Sequence, residues 1–284
     1  MAISRRSMLR GAAGAALAVG AAGALPGVAS ADGAGAGRWG LRVPRDKISI
    51  QLYTLRSVLE TDLEGTLDAL ADIGYRKVEL AGTYGRTATE FRKILDRRHI
   101  RATSTHVGID GDLNQAIADA KILGNKQSNV AYANFPTIAE WQTFADRLEV
   151  AGKAYRKAGI GFGYHNHNHE FQAIDGVRPY DVLTGRTSRR NVSLEMDLYW
   201  VTVGGADPVR EFYKVAGRVK QYHVKDRAPD GGFADLGEGN IDFRRIFRAN
   251  WPLEVNEYIV ENDQPVDAVK CAETGYNYLA NVRF

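Results

Sequence analysis

The chain has 284 residues, 44% hydrophobic and 25% charged, with eight prolines and one cysteine. That balance excludes disordered, collagen-like and disulfide-stapled classes. Its formal net charge of +3 arises at the amino terminus, where residues 1–31 carry Arg5, Arg6 and Arg10 and no acid; the remaining 34 basic side chains match the 34 acidic ones. A neutral body argues against a nucleic-acid binder, which needs a basic face to displace counterions.

In chain order, Ser4-Arg5-Arg6-Ser7-Met8-Leu9-Arg10 resembles the twin-arginine export signal. Gly11 to Ser30 follows without a charge, mostly alanine and glycine, and Ala29-Ser30-Ala31 supplies the small-x-small pattern of a signal-peptidase site. The run is nearly long enough for a transmembrane anchor. Its alanine–glycine composition, broken by Pro26, makes a poor lipid-facing helix, and no cysteine near the cleavage site offers a lipid attachment point. The expectation is a signal peptide over 1–31, read by the twin-arginine export machinery, and a mature chain in the extracellular, periplasmic or cell-wall space. That route carries folded proteins and so points to a cofactor or metal acquired before export. Asp32 to Gly40 is a glycine-rich tether, and 32–46 is read as linker.

From Lys47 short apolar runs alternate with amphipathic stretches. Strands are expected at Ile48–Leu52, Lys77–Leu80, Arg101–His106, Gln127–Tyr132, Gly161–Asn166, Val192–Asp197, Val219–Val224 and Leu253–Val260. Helices are expected near Asp62–Ile73, Ala88–Arg97, Asp112–Leu123, Ala139–Lys157, Pro208–Val215, Phe243–Ala249 and Val266–Leu279. Gly74, Gly124 and Gly159 stand where helices should stop before a strand. Eight strands alternating with helices suit a single-domain (β/α)8 TIM barrel over 47–284. No G-x-G-x-x-G turn follows the first strand, which removes the main support for a dinucleotide fold.

In such a barrel chemistry gathers at the carboxyl ends of the strands. Strand alternation aims Asp197 into the lumen with Ser193 and Glu195, places His223 and Lys225 inward, and puts Glu261 near the end of the eighth strand. His106 ends the third strand, and His165, His167 and His169 crowd the end of the fifth ahead of Glu170; His99 lies in a basic helix end and is solvated. Glu170, Asp197, His223 and Glu261 thus come from four successive strand ends. This oxygen-rich set suits Mn²⁺ or Mg²⁺ and admits Co²⁺ or Zn²⁺. The alternative for each carboxylate is an ordinary salt bridge, and Glu79 is left open between a substrate contact and such a pair. Trp200, Tyr53, Tyr84 and Trp141 are either stacking surfaces for sugar rings or core packing.

Several motifs together resemble the sugar phosphate isomerase/epimerase group of xylose-isomerase-like TIM barrels: Gln51-Leu52-Tyr53-Thr54-Leu55-Arg56, Ile73 to Glu79, Tyr164-His165-Asn166-His167-Asn168-His169-Glu170-Phe171, Asp197-Leu198-Tyr199-Trp200, His223-Val224-Lys225-Asp226, Gly237 to Asp242, and Val260-Glu261-Asn262-Asp263. The resemblance implies that Glu170, Asp197, His223 and Glu261 hold the metal. It also implies that Glu170 and Glu261 remove and return a proton next to a carbonyl through an enediolate, with His106, His165, His167 and Lys225 against a carbohydrate substrate. Elimination of the aglycone from a 3-keto-glycoside is the alternative use of the same site. An AP-endonuclease-like phosphodiesterase and a non-catalytic carbohydrate-binding barrel are the remoter ones.

Overall fold

The alternation of apolar runs with amphipathic stretches resolves into a parallel sheet closed on itself. The computed structural model describes residues 40–251 and 255–284. The expected export signal, its expected cleavage site and most of the expected tether lie outside these residues. The strands are β1 (Ile48–Gln51), β2 (Lys77–Leu80), β3 (Arg101–Val107), β4 (Gln127–Val130), β5 (Gly161–His165), β6 (Ser193–Asp197), β7 (Val219–Val224) and β8 (Glu257–Val260). Each pairs in parallel with its sequence neighbours, and β1 closes the barrel on β8 with Ile48 opposite Tyr258 and Ile50 opposite Val260. This is the expected (β/α)8 barrel.

All seven expected helices form, within one to three residues of their expected ends. Thr87 and Thr137 start two of them with capping boxes to Glu90 and Glu140. Gly74 and Gly124 cap the ends of two others, and Gly159 follows the end of Ile138–Lys157, at φ of 121°, 85° and 80°, where a side chain would be strained. Three more helices escape the sequence pattern: Arg56–Thr61 and Leu198–Val203 are six residues each, too short to show a period, and Pro179–Arg186 buries only Pro179, Tyr180 and Leu183.

The outward faces of the strands meet the helices. Ile50, Val78, Met196, Tyr222 and Val260 pack with Leu67, Phe91, Phe247 and Leu279 in one core cluster. A second surrounds the helix Ile138–Lys157, where Trp141, Phe144 and Tyr155 meet Phe162, Tyr164 and Val192. Each such side chain contributes about 1.5–3 kcal/mol on burial. That helix lies so close to the approach to β6 that a Cβ on Gly152 would stand 2.3 Å from the Asn191 carbonyl oxygen.

The lumen is polar instead. Ser49, Gln51, Glu79, Ser104, Asn129, Glu195, Gln221 and Glu257 are all buried, and such groups must be paired. Asn129 Nδ2 donates to Glu195 Oε1 at 2.8 Å and to Gln221 Oε1 at 2.9 Å, and Gln127 Nε2 donates to Asn129 Oδ1 and Ser193 Oγ, each at 2.8 Å. At the start of the described chain, Leu41 and Phe284 exchange backbone hydrogen bonds of 3.3 and 3.1 Å, and Val43 is buried. No helix among the described residues is long and apolar enough to cross a membrane.

Candidate metal centre and active site

Closure of the barrel brings the ends of β2, β3 and β5 to β8 to one place. Asp197 ends β6 and caps the helix Leu198–Val203, its Oδ1 accepting from the Trp200 backbone N–H at 2.8 Å. Its second oxygen, Oδ2, is buried without a hydrogen bond and faces the Lys225 ammonium at 3.1 Å and His165 Nε2 at 3.9 Å. On β7, His223 sits between two carboxylates: Nδ1 lies 2.7 Å from Glu261 Oε2 and Nε2 lies 2.7 Å from Glu79 Oε2. Lys225, two residues on and fully buried, reaches Glu261 Oε2 at 2.8 Å and Asp263 Oδ1 at 2.7 Å. From β5, His165 places Nδ1 3.2 Å from Glu195 Oε2, and from β3 His106 places Nε2 2.8 Å from the same oxygen.

One donor atom each from His165, Asp197, His223 and Glu261 falls within 4.8 Å of the others, all four residues being buried. A second, overlapping set replaces Asp197 and Glu261 by His106 and Glu195. Two imidazoles and two carboxylates, one with an oxygen that no hydrogen bond occupies, fit a divalent cation. In the second set Glu195 is already engaged by Asn129, His106 and His165, so the first is the better cradle.

Asp197, His223 and Glu261 are therefore brought together as expected, and Glu170 is not. It lies past the end of β5 in the short 3-10 turn His169–Phe171. Its Oε1 accepts from the Tyr164 hydroxyl at 2.7 Å and its Oε2 from the His167 backbone N–H at 2.9 Å. Buried and spent on the turn, it braces the histidine-rich loop, and His165 occupies the place in the cluster expected for it. Glu170→Gln should keep full metal content. It should also lose about 1–3 kcal/mol of stability, because one of the two donors then meets an amide N–H. Metal analysis with thermal unfolding checks this; loss of the metal at unchanged stability would restore Glu170 as a ligand.

The four residues expected against substrate, His106, His165, His167 and Lys225, all line one cavity of about 430 Å³, together with Glu261 and Asp263. Tyr53, Tyr132, Trp200 and Phe233 form its aromatic rim, with the Lys225 ammonium 5.5 Å from the Trp200 ring. Trp141 and Tyr84 belong to the cores instead. Two lumen carboxylates take a larger part than the sequence reading gave them. Glu79 bonds His223 and receives Gln51 Nε2 at 2.9 Å, which makes it a partner of the cluster. Glu195, passed over, was signalled by the same alternation in Ser193-Leu194-Glu195-Met196-Asp197 that aimed Asp197 inward.

The electrostatics follow from burial and crowding. Burial, with the Glu195 carboxylate next, pushes Glu79 up to about 7. Burial likewise pushes Asp197 up to about 6 against the pull of Lys225 and His223. Glu261 is held well below the usual carboxylate range, since Lys225 and His223 outweigh its burial. Burial and the neighbouring His223 lower His165 to about 3, so it is a neutral imidazole able to donate a lone pair. Removal from water opposes the charge on Lys225, but Asp197, Glu261 and Asp263 raise it above an ordinary ammonium.

The family described as xylose isomerase-like TIM barrel matches residues 67–249. Two solved structures of sugar phosphate isomerase/epimerases from Parabacteroides distasonis are similar. One is 27% identical with a TM-score of 0.74, covering 83% of this chain and 98% of its own. The other is 23% identical with a TM-score of 0.75, covering 83% and 93%. An inosose dehydratase from Clostridium beijerinckii is 27% identical over 178 residues, 55% of this chain and 54% of that protein. The chain thus spans little more than half the length of that curated relative.

Proposed function

Because the chain belongs to the xylose-isomerase-like TIM barrel family, we propose that it is a divalent-metal-dependent enzyme that isomerises or epimerises a carbohydrate by moving a proton next to a carbonyl. The observation that carries this reading is the convergence of His165, Asp197, His223 and Glu261 on one buried point at the floor of a cavity with aromatic walls. A divalent cation held there supplies Lewis acidity to the substrate's carbonyl and hydroxyl oxygens. Mn²⁺ or Mg²⁺ are our first choices.

The chain's own residues do the rest. Glu261, ionised and lining the cavity, takes the proton: the C–H bond breaks, and its electron pair passes to the carbonyl oxygen as an enediolate. Lys225 fixes the orientation of that carboxylate. His106, held by Glu195, returns a proton from another sector of the wall, and Trp200 and Tyr132 cover the sugar ring. In this reading Glu261 keeps its expected catalytic role, and Glu170 passes its own to His106.

A second reading has one observation in its favour: the similarity to a protein named as a dehydratase. If an oxygen substituent stands β to the carbonyl, the electron pair left by the same proton loss forms a C=C bond as the β C–O bond breaks, and the leaving oxygen takes a proton from His106 to depart as water or as the aglycone of a 3-keto-glycoside. NMR of products from a panel of ketoses and 3-keto-glycosides decides between the two. An epimer or isomer upholds the first reading, and a released aglycone with an unsaturated ketone upholds the second. Export by the twin-arginine route, with cleavage after Ala31, is part of the proposal and is supported by the sequence of residues 4–31.

A further inference from the structure

The opposite end of the barrel gathers cations. A cavity of about 320 Å³ opens at the amino-terminal ends of the strands, lined by Lys126, Arg156, Arg189, Arg190 and Lys220, and no acidic residue among the described residues is in its lining. These cations come from separate parts of the chain. Lys126 immediately precedes β4, Arg156 lies in the last turn of the helix Ile138–Lys157, Arg189 and Arg190 lead into β6, and Lys220 is within β7. Ser193, at the first position of β6, and Asn256, just before β8, add polar groups to the same cavity.

The charge of four of them, Lys126, Arg156, Arg189 and Arg190, is largely uncompensated among the described residues. Among the described residues, the side chains of Lys126, Arg189 and Arg190 make no hydrogen bond or ion pair. Arg156 is tied only through Nε, to the Asn191 side-chain oxygen at 2.8 Å. The acid from the same neighbourhood, Glu149, is turned instead onto Ser188 and Asn191, with contacts of 2.6 to 3.1 Å. Cations gathered around one cavity repel each other, and an anion in it reverses that energy. Three of the five are arginines, whose planar N–H fork matches the paired oxygens of a phosphate- or sulfate-type group. The catalytic mouth differs in balancing its charges, with Glu261 and Asp263 beside Arg56 and Lys225 in its wall.

We infer that this basal cavity is a binding site for a small tetrahedral oxyanion, separate from the catalytic centre and independent of the reaction proposed for it. The source is either a free inorganic anion or the phosphate of a small phosphorylated molecule.

Calorimetric titration of the full metal-loaded chain at low ionic strength tests this, with sulfate, inorganic phosphate and glucose 6-phosphate as probes. The expected result is saturable binding at one site that weakens as sodium chloride is added. Arg189→Ser combined with Arg190→Ser should weaken it at least tenfold, while Lys157→Ser, on the same helix but outside the cavity, should leave it unchanged. Whichever probe binds most tightly identifies the source. Should the double variant fail to fold, Lys126→Ser makes the same test. Absence of saturable binding by all three probes, or equal binding by wild type and the arginine variant, overturns the site.

Discussion

His223→Ala is expected to leave a protein that no longer retains a divalent metal, with affinity lowered on the order of a hundredfold or more and turnover below detection. His223 is the centre of the cluster: one ring nitrogen faces Glu261 and the other Glu79, each at 2.7 Å. Removing it takes away a donor and leaves two buried carboxylates facing a void. The second effect also lowers stability, by about 3–5 kcal/mol when a buried charged partner is lost. Metal content by elemental analysis, read beside thermal unfolding, separates the two effects. His223→Gln keeps hydrogen-bonding capacity and should recover part of the stability but none of the metal. Unchanged metal content in both variants would contradict the assignment of His223 as a ligand.

The second large effect is expected at Glu261. Glu261→Gln preserves size and removes the charge that takes the proton, so kcat should fall by about 10²–10⁴, the usual contribution of a positioned acid or base. The fold should survive, because Lys225 keeps Asp197 at 3.1 Å and Asp263 at 2.7 Å as partners. Steady-state kinetics with the metal saturating isolates the proton-transfer role from weakened metal binding. Activity within tenfold of wild type under those conditions would remove Glu261 from the chemistry.

The barrel was legible in the sequence because its signal is distributed. Eight apolar runs and seven periodic stretches each had to be found only roughly, and strands such as Lys77–Leu80 and Val219–Val224 match their expected ends. The inward aim of Asp197, His223 and Lys225 followed from strand alternation, which the pleat enforces residue by residue. Alternation stops where the strand stops. Beyond His165 the chain turns through His169–Phe171, and no spacing rule says which way Glu170 then points. Its proximity in sequence to three histidines suggested a ligand, whereas its hydrogen bonds to Tyr164 and His167 make it the brace of their loop. Glu195 shows the opposite case: alternation puts it on the inward face with Asp197, one step deeper than the end of Ser193–Asp197.

The central claim is proton transfer next to a carbonyl by a site that depends on a bound metal. Exchange of solvent deuterium into substrate tests it most directly. The protein, metal-loaded in one sample and stripped in the other, is incubated in D₂O with ketoses and 3-keto-glycosides and followed by NMR. Deuterium is expected at a carbon adjacent to the carbonyl in the loaded sample, and none above background in the stripped one. No exchange across the panel with metal confirmed bound, or equal exchange in both samples, would contradict it.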